Sequence, residues 1–444
     1  MRIARRPLTA VALAAALAFP ATALAADYPP ANDPGKGPKN APKGGTLKVC
    51  KKGCKYKKIQ AAVDAAGKGT TIRVGKGTYK EGVRILSPKK DRVKLIGDPK
   101  NPDNVILEGK GLRGGPAQNG VLVNNADGVT VNGFHARNYK GNGVFVVNAD
   151  GYKLTNLVAE KVGVYGLYAF NSKGGEMSNS EAFYNNDSGF YVGQTPPQAK
   201  PKRTTLKNLV AWGNVLGYSG TNSRYVTITK SKFFNNGLGI VPNVLESEKF
   251  MPHEDNAIVD NDVFWNNFNY YAAAPFALRK EATGVPYPIG TGILLFGGRT
   301  TRVENNRIWG NWLVGHGQVS QFLLKEENLS FGLLEGNQVR ANSFGLEGGA
   351  DKNGRDMFYD GSGSANCFEN NSLQSPNTPT DNSTFAACPK SDGNAFNEGA
   401  RNEALSWALD DTHEKFWVKG EHKPIDGITP LEHWTADYPR PEVK

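Results

Sequence analysis

The sequence predicts an all-β chain: a right-handed parallel β-helix with a short N-terminal capping helix and a C-terminal tail. Three observations predict it. Glycines open successive lines at Gly120, Gly143, Gly166, Gly189, Gly217 and Gly239; the first three spacings are 23 residues, the fourth 28 and the fifth 22. One and three residues after the glycine stand apolar pairs, Val121/Val123, Val144/Val146, Leu167/Ala169 and Phe190/Val192, the alternation of a strand with one buried face. Five residues after it comes an amide, Asn125, Asn148, Asn171, Gln194 and Asn222, with Asn243 one position early in its line. A fixed repeat of this length, with no room or periodicity for helix pairs, is a solenoid in which each line is one coil and equivalent positions stack. A stacked amide donates to one coil and accepts from the next, and it tolerates the left-handed backbone of a tight turn. The amide column is therefore expected to be structural.

The elements follow in order. Arg2, Arg5 and Arg6, the apolar run Leu8 to Phe19 and the site Ala23-Leu24-Ala25 read as a cleavable secretion signal over residues 1–25. The run is too short for a permanent span. The mature chain is thus expected to be secreted, periplasmic or at the cell surface, with no membrane association and as a monomer. Residues 26–45, rich in Pro, Gly, Asn and Lys, read as a flexible leader. The β-helix occupies residues 46–375 and opens with a strand at Thr46–Val49. Tyr56 to Ala66 places Ile59, Ala62, Val63 and Ala66 at helical spacing before Gly67. A helix here would cover the open end of the solenoid, whose bare strand edge otherwise invites aggregation. Strands are expected at Thr71–Val74, Gly82–Leu86 and Val93–Ile96. Later coils are decorated by excursions at 196–203, 244–256 and 272–291, with further coils at 292–313 and 333–344. Past Asn370 the pattern fades. Residues 376–444 read as a cap and tail, with one helix over Asn402–Leu409 and with Trp417 and Trp434 beyond it.

The opening from Tyr56 to Gly97, with YKKIQAAVDAA followed by the turn Gly77-Thr78-Tyr79-Lys80-Glu81, resembles the opening of pectin methylesterases and other pectinase-like β-helix proteins. The resemblance implies the fold. The methylesterase catalytic pattern, an aspartate pair on neighbouring coils with a downstream arginine, has no match here, so that activity is not carried over. The central repeats resemble the right-handed β-helix repeat family of the pectate-lyase-like superfamily. That family includes polysaccharide lyases, epimerases and periplasmic proteins of unknown activity.

Charge and cysteine narrow the function. A formal net charge of +11 favours a polyanionic partner. Export and the lack of a nucleic-acid fold signature argue against nucleic acid and for a polysaccharide ligand. Cys50 and Cys54 bracket a tight turn and Cys367 and Cys388 a loop, so two local disulfides are expected, as suits an oxidising compartment.

Candidate chemistry sits on the outward positions two residues after each glycine: Leu122, Phe145, Tyr168, Tyr191, Ser219, Val241 and Leu294. An exposed aromatic column there would be a platform for sugar rings. The excursions after Gln194 and Asn243 leave at the same column and would wall it. The second carries His253-Glu254-Asp255. A lyase or epimerase on uronic acids needs a base, a cation against the developing enolate and a proton donor. His253, Arg224 and Tyr191 are the candidates. Phe145, Tyr168, Gln194, Asn222 and Asn243 are candidate substrate contacts. Asp187, Glu254 and Asp255 are candidate ligands for Ca2+, which takes several oxygens. A hydrolase would instead pair Asp187 with Glu176 or Asp255. His135 and His316 are expected to be structural or exposed. The rival to an enzyme is a non-catalytic, glycan-binding or accessory β-helix protein.

Overall fold

A computed structural model describes residues 44–268, 270, 287–346, 351–380 and 382–409. The signal segment, most of the leader, the greater part of the third excursion and the tail with Trp417 and Trp434 lie outside the described residues.

The coils stack as the glycine spacing requires. Ten strands form one parallel sheet in chain order, starting at Val83–Leu86, Asn119–Asn124, Asn142–Val147, Leu167–Phe170 and Ser188–Gly193. It continues with Leu216–Thr221, Leu238–Asn243, Thr291–Phe296, Val314–Val319 and Met357–Tyr359. The remaining long strands form a second parallel sheet that bends midway. Thus Lys153–Glu160, Glu176–Phe183 and Thr204–Trp212 each carry a left-handed residue near the centre, Asn156, Asn179 and Asn208. Each coil is therefore three-sided, with left-handed corners. The amide column makes one of these corners: Asn125, Asn148, Asn171, Gln194 and Asn222 all have φ between 45° and 52°. Asn171 Nδ2 donates to Asn148 Oδ1 at 2.6 Å and Asn148 Nδ2 to Asn124 Oδ1 at 3.2 Å. Of the expected stacking, Asn171 on Asn148 forms, Asn148 turns to Asn124 outside the column, and Asn222 and Gln194 bond the excursion after Asn243.

Inside the coils, Val121, Val144, Leu167, Phe190, Tyr218, Ile240 and Ile293 form one face of a continuous core that runs the length of the solenoid. Each fully buried side chain of this size contributes about 1.5–3 kcal/mol. A second amide ladder, in a different column, turns one corner: Asn185, Asn214, Asn236, Asn266, Asn311 and Asn353. Asn185 Oδ1 accepts from the Val162 N–H, and from Asn214 onward each Oδ1 accepts both the main-chain N–H and the side-chain amide of the asparagine one coil earlier, as Asn214 Oδ1 does at 3.0 and 2.9 Å from Asn185. An aromatic residue stands two positions before most of them. These rings face outward and stack coil on coil, Phe183 on Trp212 with centroids 4.7 Å apart and Phe264 on Trp309 at 4.3 Å.

The N-terminal helix forms at Ile59–Ala65 and buries Ile59, Ala62 and Val63. Charged side chains from the first coils satisfy both of its ends, which a seven-residue helix cannot do internally. Glu81 accepts from the Ile59 and Gln60 N–H groups at 2.9 Å, and buried Lys90 donates to the carbonyls of Val63 and Ala66 at 2.6 Å. The C-terminal helix is longer than expected, Glu398–Leu409. It lies against the outward face of the ten-stranded sheet, where Trp407 meets Phe358 at 4.6 Å. Both disulfides, Cys50–Cys54 and Cys367–Cys388, join the pairs that their spacing suggests.

Candidate functional site

The outward face of the ten-stranded sheet differs from the sequence expectation. Phe145 and Tyr168 stand in register on neighbouring strands and stack at 4.3 Å, but they are only 5 % and 2 % exposed. They do not form an open platform. Tyr165, three residues before Tyr168, folds over Tyr168 and Tyr191 at 4.7 and 4.4 Å. With Leu122 and Val147 these rings make a small second core outside the coils. Aromatic rings this large favour burying each other over facing water.

The column becomes polar at Tyr191. Its neighbours on the next two strands are Ser219 and Val241, and the excursion after Asn243 covers it. From that excursion Glu248 comes down onto the sheet, and the Tyr191 phenol donates to Glu248 Oε1. Both side chains are buried, Tyr191 at 2 % and Glu248 at 7 % exposure. Burial pushes the Glu248 carboxyl up to about 8, against the pull of the Tyr191 hydrogen bond. Burial, and then the charge of Glu248, raises the Tyr191 phenol well above its ordinary value. A carboxyl raised in this way beside a phenol holds its proton more tightly than an exposed glutamate, and its ionised form can accept the phenol's proton.

The remaining amides hold the covering loop. Asn222 Nδ2 donates to the carbonyls of Leu245 and Glu248 at 2.7 Å, and Gln194 Oε1 accepts from the Lys249 N–H at 2.9 Å. Asn243 Oδ1 accepts from Thr221 Oγ1 at 2.8 Å. Arg224 is buried and serves the same loop: it donates to the Phe250 and Thr195 carbonyls and pairs with Glu254 at 2.5 Å. With those donors engaged, it anchors the loop and offers no open cation to an enolate.

His253 requires the clearest correction. Its side chain points into the coil, 1 % exposed. Asn256 Nδ2 and Ser223 Oγ lie 2.8 and 3.2 Å from Nδ1, and Thr301 Oγ1 lies 3.1 Å from Nε2. Burial and the nearby Arg224 charge push it down to about 3, so it stays neutral. It fills the interior and is not a base on the outer face. The candidate calcium ligands are likewise not gathered. Asp255 accepts from Thr300 Oγ1 at 2.7 Å, Glu254 is taken by Arg224, and Asp187 lies beside Ser188 Oγ at 3.2 Å. Among the described residues no group of three or more His, Cys, Asp or Glu side chains is placed to hold a metal. Of the hydrolase partners, Glu176 lies on the other sheet, bonded to Ser178 and Lys207.

His316 is buried inside the coil and burial pushes it down to about 3. His135 is also buried and bridges Asp103 and Glu160 at 2.7 and 3.1 Å. Burial alone would lower His135, but the two carboxylates outweigh it and raise it. Sequence reasoning missed Glu248 and Tyr165. A glutamate in an excursion that leaves beside an outward tyrosine was the available signal for the first. Tyr165 shows none, because it stands on the turn one residue before its glycine.

Stacked parallel coils and these corners define a right-handed parallel β-helix protein. Residues 119–274 match the family described as right handed beta helix region. No protein of curated function matches the chain by sequence. Among solved structures the chain is similar to the A-module of mannuronan C-5 epimerase AlgE4 from Azotobacter vinelandii, at 16 % identity and TM-score 0.45 over 75 % of this chain and 86 % of that one. It is also similar to an alginate lyase from Paenibacillus sp. str. FPU-7, at 14 % identity and TM-score 0.43 over 70 % and 98 %. The figures for pectate lyase Pel9A are 14 %, 0.38, 75 % and 77 %. No helix among the described residues is long and apolar enough to cross a membrane.

Proposed function

We propose that this is an exported polysaccharide lyase or epimerase that acts on a uronic-acid glycan along the outward face of the ten-stranded sheet, with Tyr191 and Glu248 as its proton-transfer pair. The observation that carries the reading is Glu248: a buried carboxyl raised to about 8 and bonded to the phenol of an outward tyrosine. Removing the proton beside a uronate carboxylate leaves an enolate. Breaking the bond to the neighbouring sugar then gives an unsaturated end, and returning the proton on the other face gives the epimer. Both routes need an acid–base group that works near neutral pH, and a carboxyl tuned upward by burial suits that task. In the ionised fraction of Glu248, Tyr191 takes the proton from the sugar as it passes its own to Glu248, which then returns it to the leaving oxygen in elimination or to the sugar carbon in epimerisation. Arg224, Asn222 and Gln194 hold the loop that brings Glu248 to Tyr191. The rival is a non-catalytic β-helix protein, and in either reading Phe145 and Tyr168, packed shut, offer sugar rings no open platform.

The test offers purified chain to pectate, alginate, glycosaminoglycans and neutral glycans, with and without calcium. Absorbance of unsaturated uronate ends and the epimer ratio of the products are both followed. Turnover on an acidic polymer that disappears in Tyr191→Phe supports the reading. Unchanged substrates throughout would leave the binding alternative.

A further inference from the structure

The first coils carry a charge imbalance that the rest of the chain lacks. Residues 46–113 contain 18 lysines and arginines against 6 aspartates and glutamates, whereas residues 114–444 contain 29 against 34. The whole positive excess beyond residue 45 thus sits on the capping helix and the coils beneath it. The acids there hold local structure. Glu81 caps the helix, Asp98 accepts from the Lys100 and Asn101 N–H groups, Asp103 bonds His135 and Glu108 bonds Arg137. Only Asp91 pairs with a cation of this block, Lys68. No other lysine or arginine of residues 46–113 has an ion pair among the described residues.

Where the block folds, like charges meet. Lys48 and Arg73 lie directly opposite each other on adjacent parallel strands, both exposed, and Lys94 is exposed on the next strand of the same sheet. Like charges opposite each other cost stability. Lys57 and Lys58 stand exposed at the entry to the helix. We propose that this capping end is a binding surface for a polyanionic glycan, carrying carboxylate or phosphate groups, separate from the Tyr191 column. Cations repeated on strands about 4.8 Å apart match the repeated charges of a polymer better than a single small anion. The surface also suits a glycan over a nucleic acid. Single-stranded nucleic acids bind on stacking aromatic platforms, and the only aromatic residues of this block are Tyr56 and Tyr79, the latter buried beneath Lys51.

The test measures binding of the purified full chain to three immobilised polymers: polygalacturonate, poly(glycerol phosphate) and neutral dextran. Binding to one or both anionic polymers, absent on dextran and lost at about 1 M salt, where screening acts over about 3 Å, is expected. Lys48→Glu with Arg73→Glu, and separately Lys57→Glu with Lys58→Glu, should each weaken it at least tenfold. The glutamine versions, with unchanged thermal melting, should weaken it by less. Tyr191→Phe should leave it unchanged, which separates this surface from the proposed reaction. Equal binding to dextran, insensitivity to all four charge changes, or tighter binding to double-stranded DNA than to either glycan would overturn the proposal.

Discussion

Glu248 and Asp360 are both buried acids above the outward face of the ten-stranded sheet, and they are bedded in opposite ways. Asp360, just past the last strand of the sheet, accepts from the Ser362 N–H and Oγ at 3.0 and 2.6 Å and from Arg401 Nε at 2.7 Å. Arg401 comes from the C-terminal helix, so that carboxylate fastens the helix to the solenoid. Glu248 has one phenol, the Gln194 main chain and no cation. A carboxylate that is needed for structure is surrounded with donors and a countercharge, because an uncompensated buried charge is costly. A carboxyl left short of both remains protonated and can change its protonation state near neutral pH. Under the proposed function, the difference assigns the chemistry to the covering loop and a structural role to the C-terminal helix.

The sharpest way to break that comparison is at Tyr191. Tyr191→Phe keeps the ring and removes the proton, so turnover should fall by about 10²–10⁴, the usual contribution of a positioned acid–base group, while melting temperature moves little. Turnover within a factor of two of the parent protein would remove Tyr191 from the chemistry. The complementary change is Arg401→Ala. Stripping the cation from Asp360 should destabilise the chain by about 3–5 kcal/mol, the cost of breaking a buried pair, reduced by the partial exposure of Arg401. Activity per folded molecule should be kept. Denaturant unfolding and active-site normalisation check both halves.

The pH dependence of stability tests Glu248 further. Glu248 has a folded-state value raised from 4.5 to about 8. Below about 4.5 both folded and unfolded chains hold the proton, and its stabilisation is fully present. Between about 4.5 and 8 the unfolded chain loses the proton first, so stability falls by up to about 1.4 kcal/mol per pH unit from this group. Glu248→Gln, which cannot ionise, should flatten that part of the stability–pH curve measured by chemical denaturation. An unchanged slope would mean that Glu248 is ionised in the fold.

Much of this fold was legible in the sequence, because a solenoid repeats its evidence. The glycine spacing, the apolar pairs and the Asn125 to Asn222 column each gave the same register, and the strand at Thr46–Val49 formed at its expected bounds. The Asn185 to Asn353 ladder was missed although its signal was present, an aromatic residue two positions ahead of an asparagine, as in Trp212-Gly213-Asn214 and Trp309-Gly310-Asn311. The site was far less legible. Alternation tells which side chains leave the coil, and it placed Tyr191 outward. It does not tell what an excursion lays over them, so Tyr165 and Glu248 escape it and an open platform and a covered second core are equally compatible with the aromatic column. His253 was misplaced for a related reason. A dense cluster of titratable residues suggested a polar surface loop, whereas Ser223, Asn256 and Thr301 already formed a polar socket inside the coil.

That socket supplies the smallest expected effect and tests the inner side of the same loop. Replacing His253 with alanine takes one hydrogen-bond partner from each of Asn256, Ser223 and Thr301 and opens space beside Gly298, whose backbone lies against the ring. A loss of about 1–3 kcal/mol is expected, the cost of removing buried hydrogen bonds, with turnover per folded molecule preserved. His253 is pushed down from 6.5 to about 3, so its contribution is present above pH 6.5 and is lost as pH falls toward 3, when the unfolded chain takes up the proton first. His253→Ala should therefore cost most at neutral pH and least in acid, the reverse of the Glu248 trend. A loss of turnover that exceeds the loss of folded protein would return His253 to the reaction and move the site from the outer face to the interior of the coil.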